Sequence, residues 1–348
     1  VPLASDLTIM QHDLDHPLII SDWHLAREAY RSKSLRQGLY DGGVVMDNVL
    51  INLHGTDHRD RRRLENPLFR RDVLFEYERR SFPAVLAARL RAHLDDDRLD
   101  LLPFGHGVML ELAAVNAGID LDIGDADATA DLGRQLLLFI DGARILHYTG
   151  DKAAKEREVA EALADFDAQF VSPALARRRA LMRARDAGEI ADSDVPRDIL
   201  RVLLENIEGL DLDPSTVLRE TAFFLLTGAS TSAAAMTQTL DNIFGWIRTH
   251  PDDEARLSDD PAFVQRCILE TLRLAPISPI AARWATDDFS LSDGTRVHGG
   301  DRVHIDMGAA NRDPSVFGSD ANEFRPDREL PTDVPRAGVS FGHGQHHC

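Results

Sequence analysis

Between Pro214 and Pro251 the chain runs without another proline, and Asp213 stands directly ahead of it. Aspartate caps a helix start and proline suits the first turn, whereas a later proline stops the helix. The stretch therefore predicts one helix of about 36 residues, about 54 Å long at 1.5 Å per residue and long enough to cross a whole domain. Most of the first 250 residues read as helices joined by short polar loops. Apolar residues recur at helical spacing over 81–94, 108–115, 136–146 and 199–204. Residues 151–190 form a highly charged helical stretch, read as a solvated face or a cover. Asp260 and Pro261 open a second clear helix that ends before Pro276.

The pattern changes after Pro276. Residues 289–297 (FSLSDGTRV) place an Asp-Gly turn between short strands. Residues 302–307 alternate apolar Val303, Ile305 and Met307 with polar Arg302, His304 and Asp306. The expected fold is mainly α (α+β), with a large helical part and a small β part.

A net charge of −19 argues against a nucleic-acid partner, which needs a basic field. Two cysteines, Cys267 and Cys348, make no disulfide framework, so the expected compartment is a reducing cytoplasm. No apolar run has membrane-span length, no secretion signal is visible, and no membrane association is expected. The chain opens on Val1 and stops at Cys348, and it is expected to be a fragment.

Four constellations stand out. Glu270 and Arg273 lie three apart on one helix face, and taken alone they read as a surface ion pair. The long helix carries small residues from Thr227 to Ala235, either a shallow groove for something flat or a close helix–helix contact. A hydroxyl such as that of Thr231 bonding back to Thr227 would loosen the ladder there. His58 and Arg62, four apart, make a clamp for an anion beside Arg59, Arg61, Arg63, Arg70 and Arg71. Finally, the chain ends on SFGHGQHHC. A zinc site from His343, His346 or His347 with Cys348 would still need three or four ligands fixed in space. A haem-thiolate site explains more residues: Cys348 as an anionic sulfur ligand to iron, with Gly342 and Gly344 keeping side chains off the macrocycle.

With these residues together, the sequence resembles the cytochrome P450 family of haem-thiolate monooxygenases. Phe341–Cys348 fits that family's F-G-x-G-x-H-x-C loop, a pattern expected by chance on the order of once in three million windows. Glu270 and Arg273 fit its E-x-x-R helix, 324–328 (FRPDR) the segment whose arginine joins that pair, and 310–314 (ANRDP) a further stretch. The resemblance runs from about Val44 to the end. It implies a single domain over 1–348, truncated at both ends, with a C-terminal helix and strands missing.

What the resemblance implies for the residues is specific. Cys348 would be the axial ligand of haem b (iron protoporphyrin IX), Phe341 would shield the sulfur, and Gly342 would clear space. His58, Arg62, Arg283 and His346 would hold the two propionates, and Gly228 would lie against the cofactor. Glu270, Arg273 and Arg328 would form a buried ion network. Pocket walls would include Met46, Val49, Leu50, Phe224, Thr227 and Ile280. A ferredoxin, itself fed by a ferredoxin reductase, would dock on the basic face around Arg59, Arg61 and Arg63. The expected reaction inserts one atom of O₂ into a small apolar organic substrate, in a monomer. One departure is clear: the family's acid-threonine pair on the distal helix is here Ser230-Thr231. Serine positions water but cannot take up and release a proton near neutral pH as a carboxylate does. The alternative expectation is therefore a haem-binding protein of low or no monooxygenase activity, such as a sensor, a peroxide user or an inactive relative.

Overall fold

Aspartate starts many of the helices in this chain. Asp22, Asp100, Asp125, Asp151, Asp198, Asp260, Asp306 and Asp313 each stand at an N-cap and accept a backbone N–H from the first turn. That side chain satisfies a donor the helix itself leaves orphaned, so part of the acidic surplus is cap chemistry. The computed structural model describes residues 17–95, 97–207 and 212–348.

In chain order the elements are β1 (Leu18–Ile20), α1 (Trp23–Arg31), β2 (Leu35–Gln37), α2 (Gly55–Glu65), α3 (Arg71–Glu76), α4 (Phe82–Arg91), α5 (Leu101–Ala117), α6 (Ala126–Ala143), α7 (Lys152–Phe166) and α8 (Ser172–Asp186). There follow α9 (Ile199–Asn206), α10 (Pro214–Thr249), α11 (Arg256–Asp259), α12 (Pro261–Leu274), β3 (Ile280–Ala285), β4 (Phe289–Ser290), β5 (Arg296–Val297), β6 (Arg302–Asp306), α13 (Met307–Ala310) and α14 (Pro314–Phe317). The long helix read from the prolines is α10, 36 residues.

Two turns of π-helix, Tyr77–Ser81 and Asp167–Val171, lead into α4 and α8. Each is followed by a proline in the next helix's first turn, Pro83 and Pro173. A proline gives no N–H and its ring pushes away the carbonyl four residues back, so the ladder widens instead of closing normally.

The chain forms two compact units. The first joins the described part of Val1–Leu39 to Ala234–Cys348. It holds a four-stranded sheet in the order β1-β6-β3-β2, with β1 parallel to β6 and the other pairs antiparallel. The expected hairpin over 289–297 is the separate pair β4–β5. α1 buries Trp23, Ala26, Ala29 and Tyr30 in a core shared with Val303, Ile305 and Val339. Thus two strands and a sheet-packed helix come from a region read as helical; three-residue strands carry no alternation for a sequence reading to detect.

The second unit, Tyr40–Ala233, is helical. Its core gathers Leu132, Phe139, Phe166, Ile199, Leu200 and Leu225, all fully buried. Arg178, 3% exposed, ties α8 to its neighbours through Asp198 at 2.7 Å, Asp120 at 2.9 Å and the Gly118 carbonyl at 3.3 Å. The described residues include no helix long and apolar enough to cross a membrane.

Candidate haem site

In the first unit, successive tight turns carry the chain into its last residues. Gly338 N–H donates to Pro335 O at 2.8 Å, Gly342 N–H to Val339 O at 2.8 Å, and Cys348 N–H to Phe341 O at 2.9 Å. The last bond closes a loop with Phe341 and Cys348 side by side and the Cys348 side chain exposed. Gly344 has φ +75°, and a Cβ there would stand 2.5 Å from the Tyr30 carbonyl oxygen, so the end of α1 lies hard against the loop. Gly342, at φ +68°, lies over the Tyr30 ring. The Arg283 guanidinium covers that ring from 5.4 Å, buried, and donates to Gln37 Oε1 at 2.6 Å and Ala282 O at 2.9 Å. Burial pushes the Tyr30 phenol up to about 12, with Arg283 opposing and Cys348 adding to the rise. Tyr30, Gln37 and Arg283 are thus assembled around the loop, and His346 sits half-buried on its short turn Gly344–His346.

Behind the loop, Glu270 (4% exposed) and Arg273 (0%) are a core pair rather than the surface pair their spacing alone suggests. Arg273 donates twice to Glu270, each at 2.8 Å, and Arg328 Nε donates at 3.1 Å. The Arg325 N–H adds a fourth donor to that carboxylate at 3.1 Å.

In the second unit, α2 carries His58 and Arg62. His58 is buried and its pKa falls to about 4, through burial first and then Arg62 and His54. It is a neutral hydrogen-bonding imidazole at neutral pH, so the charge of that clamp resides on Arg62, whose guanidinium lies 5.3 Å from the Phe69 ring centre. The basic face needs correcting. Arg59 and Arg63 are exposed, but Arg61 is 5% exposed and bonds Glu220 of α10 at 2.5 Å. Glu220 also accepts the Leu50 N–H at 3.1 Å; burial, opposed by Arg61, raises its pKa to about 7. Glu65, one turn beyond Arg61, is wholly buried, and neither carboxyl oxygen has a hydrogen-bond partner among the described residues. Burial and Glu220 push its pKa well above the usual range.

On α10, Thr227 Oγ1 donates to Phe223 O at 2.9 Å and Thr231 Oγ1 to Thr227 O at 2.6 Å. Ser230 is half-buried and Thr231 exposed. The contact found at Gly228 is helix to helix: a Cβ there would stand 3.2 Å from that of Ala113 on α5, which supports the packing reading of the small run at this position. Met46, Val49 and Leu50, expected as pocket walls, are at most 4% exposed and belong to the core. Phe224, Thr227 and Ile280 keep partial exposure.

These residues fit haem better than a bare metal ion. No group of three or more His, Cys, Asp and Glu that could hold a metal is found among the described residues. One exposed thiol on a glycine-shaped loop would suit a single bond to a metal already held by a macrocycle. Gln37, Glu65, Tyr30, Glu220 and Ser340 escaped the sequence reading. Only Glu220 left a trace, as a carboxylate among Val217, Phe223 and Phe224 at helical spacing.

Residues 144–348 match the family model described as Cytochrome P450. Cytochrome P450 105A3 of Streptomyces carbophilus is 27% identical over all of this chain and 80% of its own length. The biotin biosynthesis cytochrome P450 of Bacillus subtilis is 28% identical over 44% of the chain, and Cytochrome P450 130 of Mycobacterium tuberculosis 33% over 40%. The chain's matches span only about a third of those two relatives, 36% and 33%. Among solved structures, CalO2 superposes with a TM-score of 0.73 at 22% identity, covering 100% of this chain and 85% of that one. A Bacillus megaterium P450 crystallised with testosterone gives 0.70 at 18% identity, covering 100% and 85%. Matched by the family model over more than half its length and folded as those proteins are, the chain belongs to the cytochrome P450 family.

Proposed function

We propose that the polypeptide containing this chain is a haem-thiolate monooxygenase that oxygenates a small apolar organic substrate with electrons from a ferredoxin. The observation that carries the reading is the Phe341–Cys348 loop, which carries one exposed cysteine and packs on a tyrosine covered by a buried arginine. Cys348 would bind the iron of haem b; Arg62, Arg283, His58 and His346 would serve the propionates, with Phe341 and Gly342 against the ligand sulfur. Bound haem would supply O₂ binding and activation, one oxygen atom entering a substrate C–H bond and the other leaving as water, with two electrons from the ferredoxin and two protons from solvent.

The chain's own part concerns those protons. Thr231 Oγ1 spends its hydrogen on the Thr227 carbonyl, leaving lone pairs to accept from water. Ser230, half-buried next to it, orders water but stores no proton near neutral pH. Protons would therefore arrive along water rather than from an acid at this position. Exposed Arg59 and Arg63 suit an acidic electron donor, while buried Arg61 does not take part.

Ser230 also favours a second reading, a haem protein with little oxygenase activity. Single-turnover oxygen consumption by full-length protein under a chemical reductant separates the two. Oxygenated product from a ligand that perturbs the haem spectrum supports the first; oxygen uptake without product from every such ligand supports the second.

A further inference from the structure

The last carbonyls of a helix have no partner inside it. At the end of α12 two of them are taken by side chains from distant segments. Leu272 O accepts the Ser340 hydroxyl at 2.7 Å, and Arg273 O accepts Asn311 Nδ2 at 3.0 Å. Asn311 Nδ2 also donates to Ser340 Oγ at 2.7 Å, and Asn311 Oδ1 accepts the Val339 N–H at 2.7 Å. The side chain is fully buried, and its amide serves the helix end and the turn that leads to the cysteine loop. Its backbone carbonyl accepts Arg273 Nη1 at 2.8 Å, so the Glu270–Arg273 pair holds the same residue from behind. Gly338 shows how closely the turn is drawn in. Its φ is +60°, and a Cβ there would stand 2.0 Å from Asn311 Oδ1.

We propose that Asn311 is a positioning residue for Cys348: it anchors the turn over 337–340 to the C-terminal carbonyls of α12 and thereby fixes where the ligand loop leaves the core. The proposal rests on the haem-thiolate reading above. Beyond Val339 the loop's backbone bonds run within the loop itself, Gly342 to Val339, His347 to Gly344 and Cys348 to Phe341. They set its shape, while Asn311 and Ser340 hold it at its start and α1 packs against it at Gly344. Releasing that anchor leaves the loop folded but shifts the sulfur relative to whatever it binds.

The test uses full-length, haem-loaded protein with Asn311→Asp, Ser340→Ala and Ser340→Thr. Asn311→Asp keeps the acceptor for Val339 and loses the bonds donated to Arg273 O, Ser340 Oγ and, at 3.5 Å, Ala337 O. Ser340→Ala removes one link at a half-buried site and keeps the test open should the first variant fail to fold. Ser340→Thr restores the hydroxyl. Two readouts are taken: hydrogen exchange of the 337–348 amides, and the fraction of thiolate-type signal in the reduced carbon monoxide spectrum. Expected are roughly ten-fold faster exchange in 339–348 and a reduced thiolate-type fraction for Asn311→Asp and Ser340→Ala, recovery in Ser340→Thr, and unchanged exchange in the β4–β5 hairpin. Exchange and spectrum indistinguishable from the parent in Ser340→Ala and in folded Asn311→Asp overturn the proposal. A parent with no thiolate-type signal overturns the haem-thiolate reading instead, and loop exchange still judges whether Asn311 is the anchor.

Discussion

Replacing Glu65 by glutamine should stabilise the protein, and increasingly so as pH rises. Both carboxyl oxygens are buried without a hydrogen-bond partner among the described residues, so glutamine forfeits no bond found there. The groups that act on Glu65 are Glu220 from α10, which raises its pKa together with burial, and Arg61 and Arg62 from its own helix, which partly offset the rise. On α9, which also packs against α2, Arg201 and Glu205 engage each other at 3.0 Å. A carboxyl with a raised folded pKa binds its proton more tightly folded than unfolded. Stability is then full below the ordinary carboxylate range and falls as pH climbs to the raised value. One proton gives a slope of at most about 1.4 kcal/mol per pH unit. Glu220 in the same cluster is raised as well, to about 7, and the two carboxyls titrate as a pair. At about 2–4 °C per kcal/mol, Glu65→Gln should match the parent near pH 4.5 and then gain up to roughly 3–6 °C in melting midpoint per pH unit. Thermal melts of both full-length proteins at fixed ionic strength and scan rate, from about pH 4.5 to about pH 8, read this directly. Parallel profiles, or a glutamine variant less stable throughout, would refute the reasoning.

Two further substitutions probe the loop and its backing. Glu270→Gln strips the buried Arg273 of its carboxylate partner, while Arg328 keeps Asp320 at 2.6 Å, and should cost about 3–5 kcal/mol, a fall of roughly 6–20 °C in a thermal melt; a loss under about 1 kcal/mol would place the pair's weight elsewhere. Gly344→Ala drives a methyl toward the Tyr30 carbonyl at a positive φ, and haem titration should show about ten-fold weaker retention. Unchanged retention would mean that the loop is not set by α1.

Proline placement and apolar spacing made α10, α12 and the helices of the second unit legible, because helix periodicity repeats over many residues. The short strands β1 and β2 were not legible, since their pairing with β6 and β3 spans nearly the whole chain. The site divided the same way. Cys348, Glu270 and Arg273 stand in motifs that the family resemblance singles out, although the spacing of Glu270 and Arg273 alone pointed to the surface. The neutral state of His58, the burial of Arg61 and the core positions of Met46, Val49 and Leu50 depend on what other segments place against them. Asn311 was visible as part of a stretch, but its work on Ser340 and Val339 is a matter of distance.

The most direct measurement is the reduced, carbon monoxide-bound absorption spectrum of full-length protein beside its Cys348→Ser counterpart. A thiolate-type band in the first, absent from the second with haem binding weakened, is the expected result. The same spectrum and the same haem affinity in both would show that Cys348 is not the iron ligand.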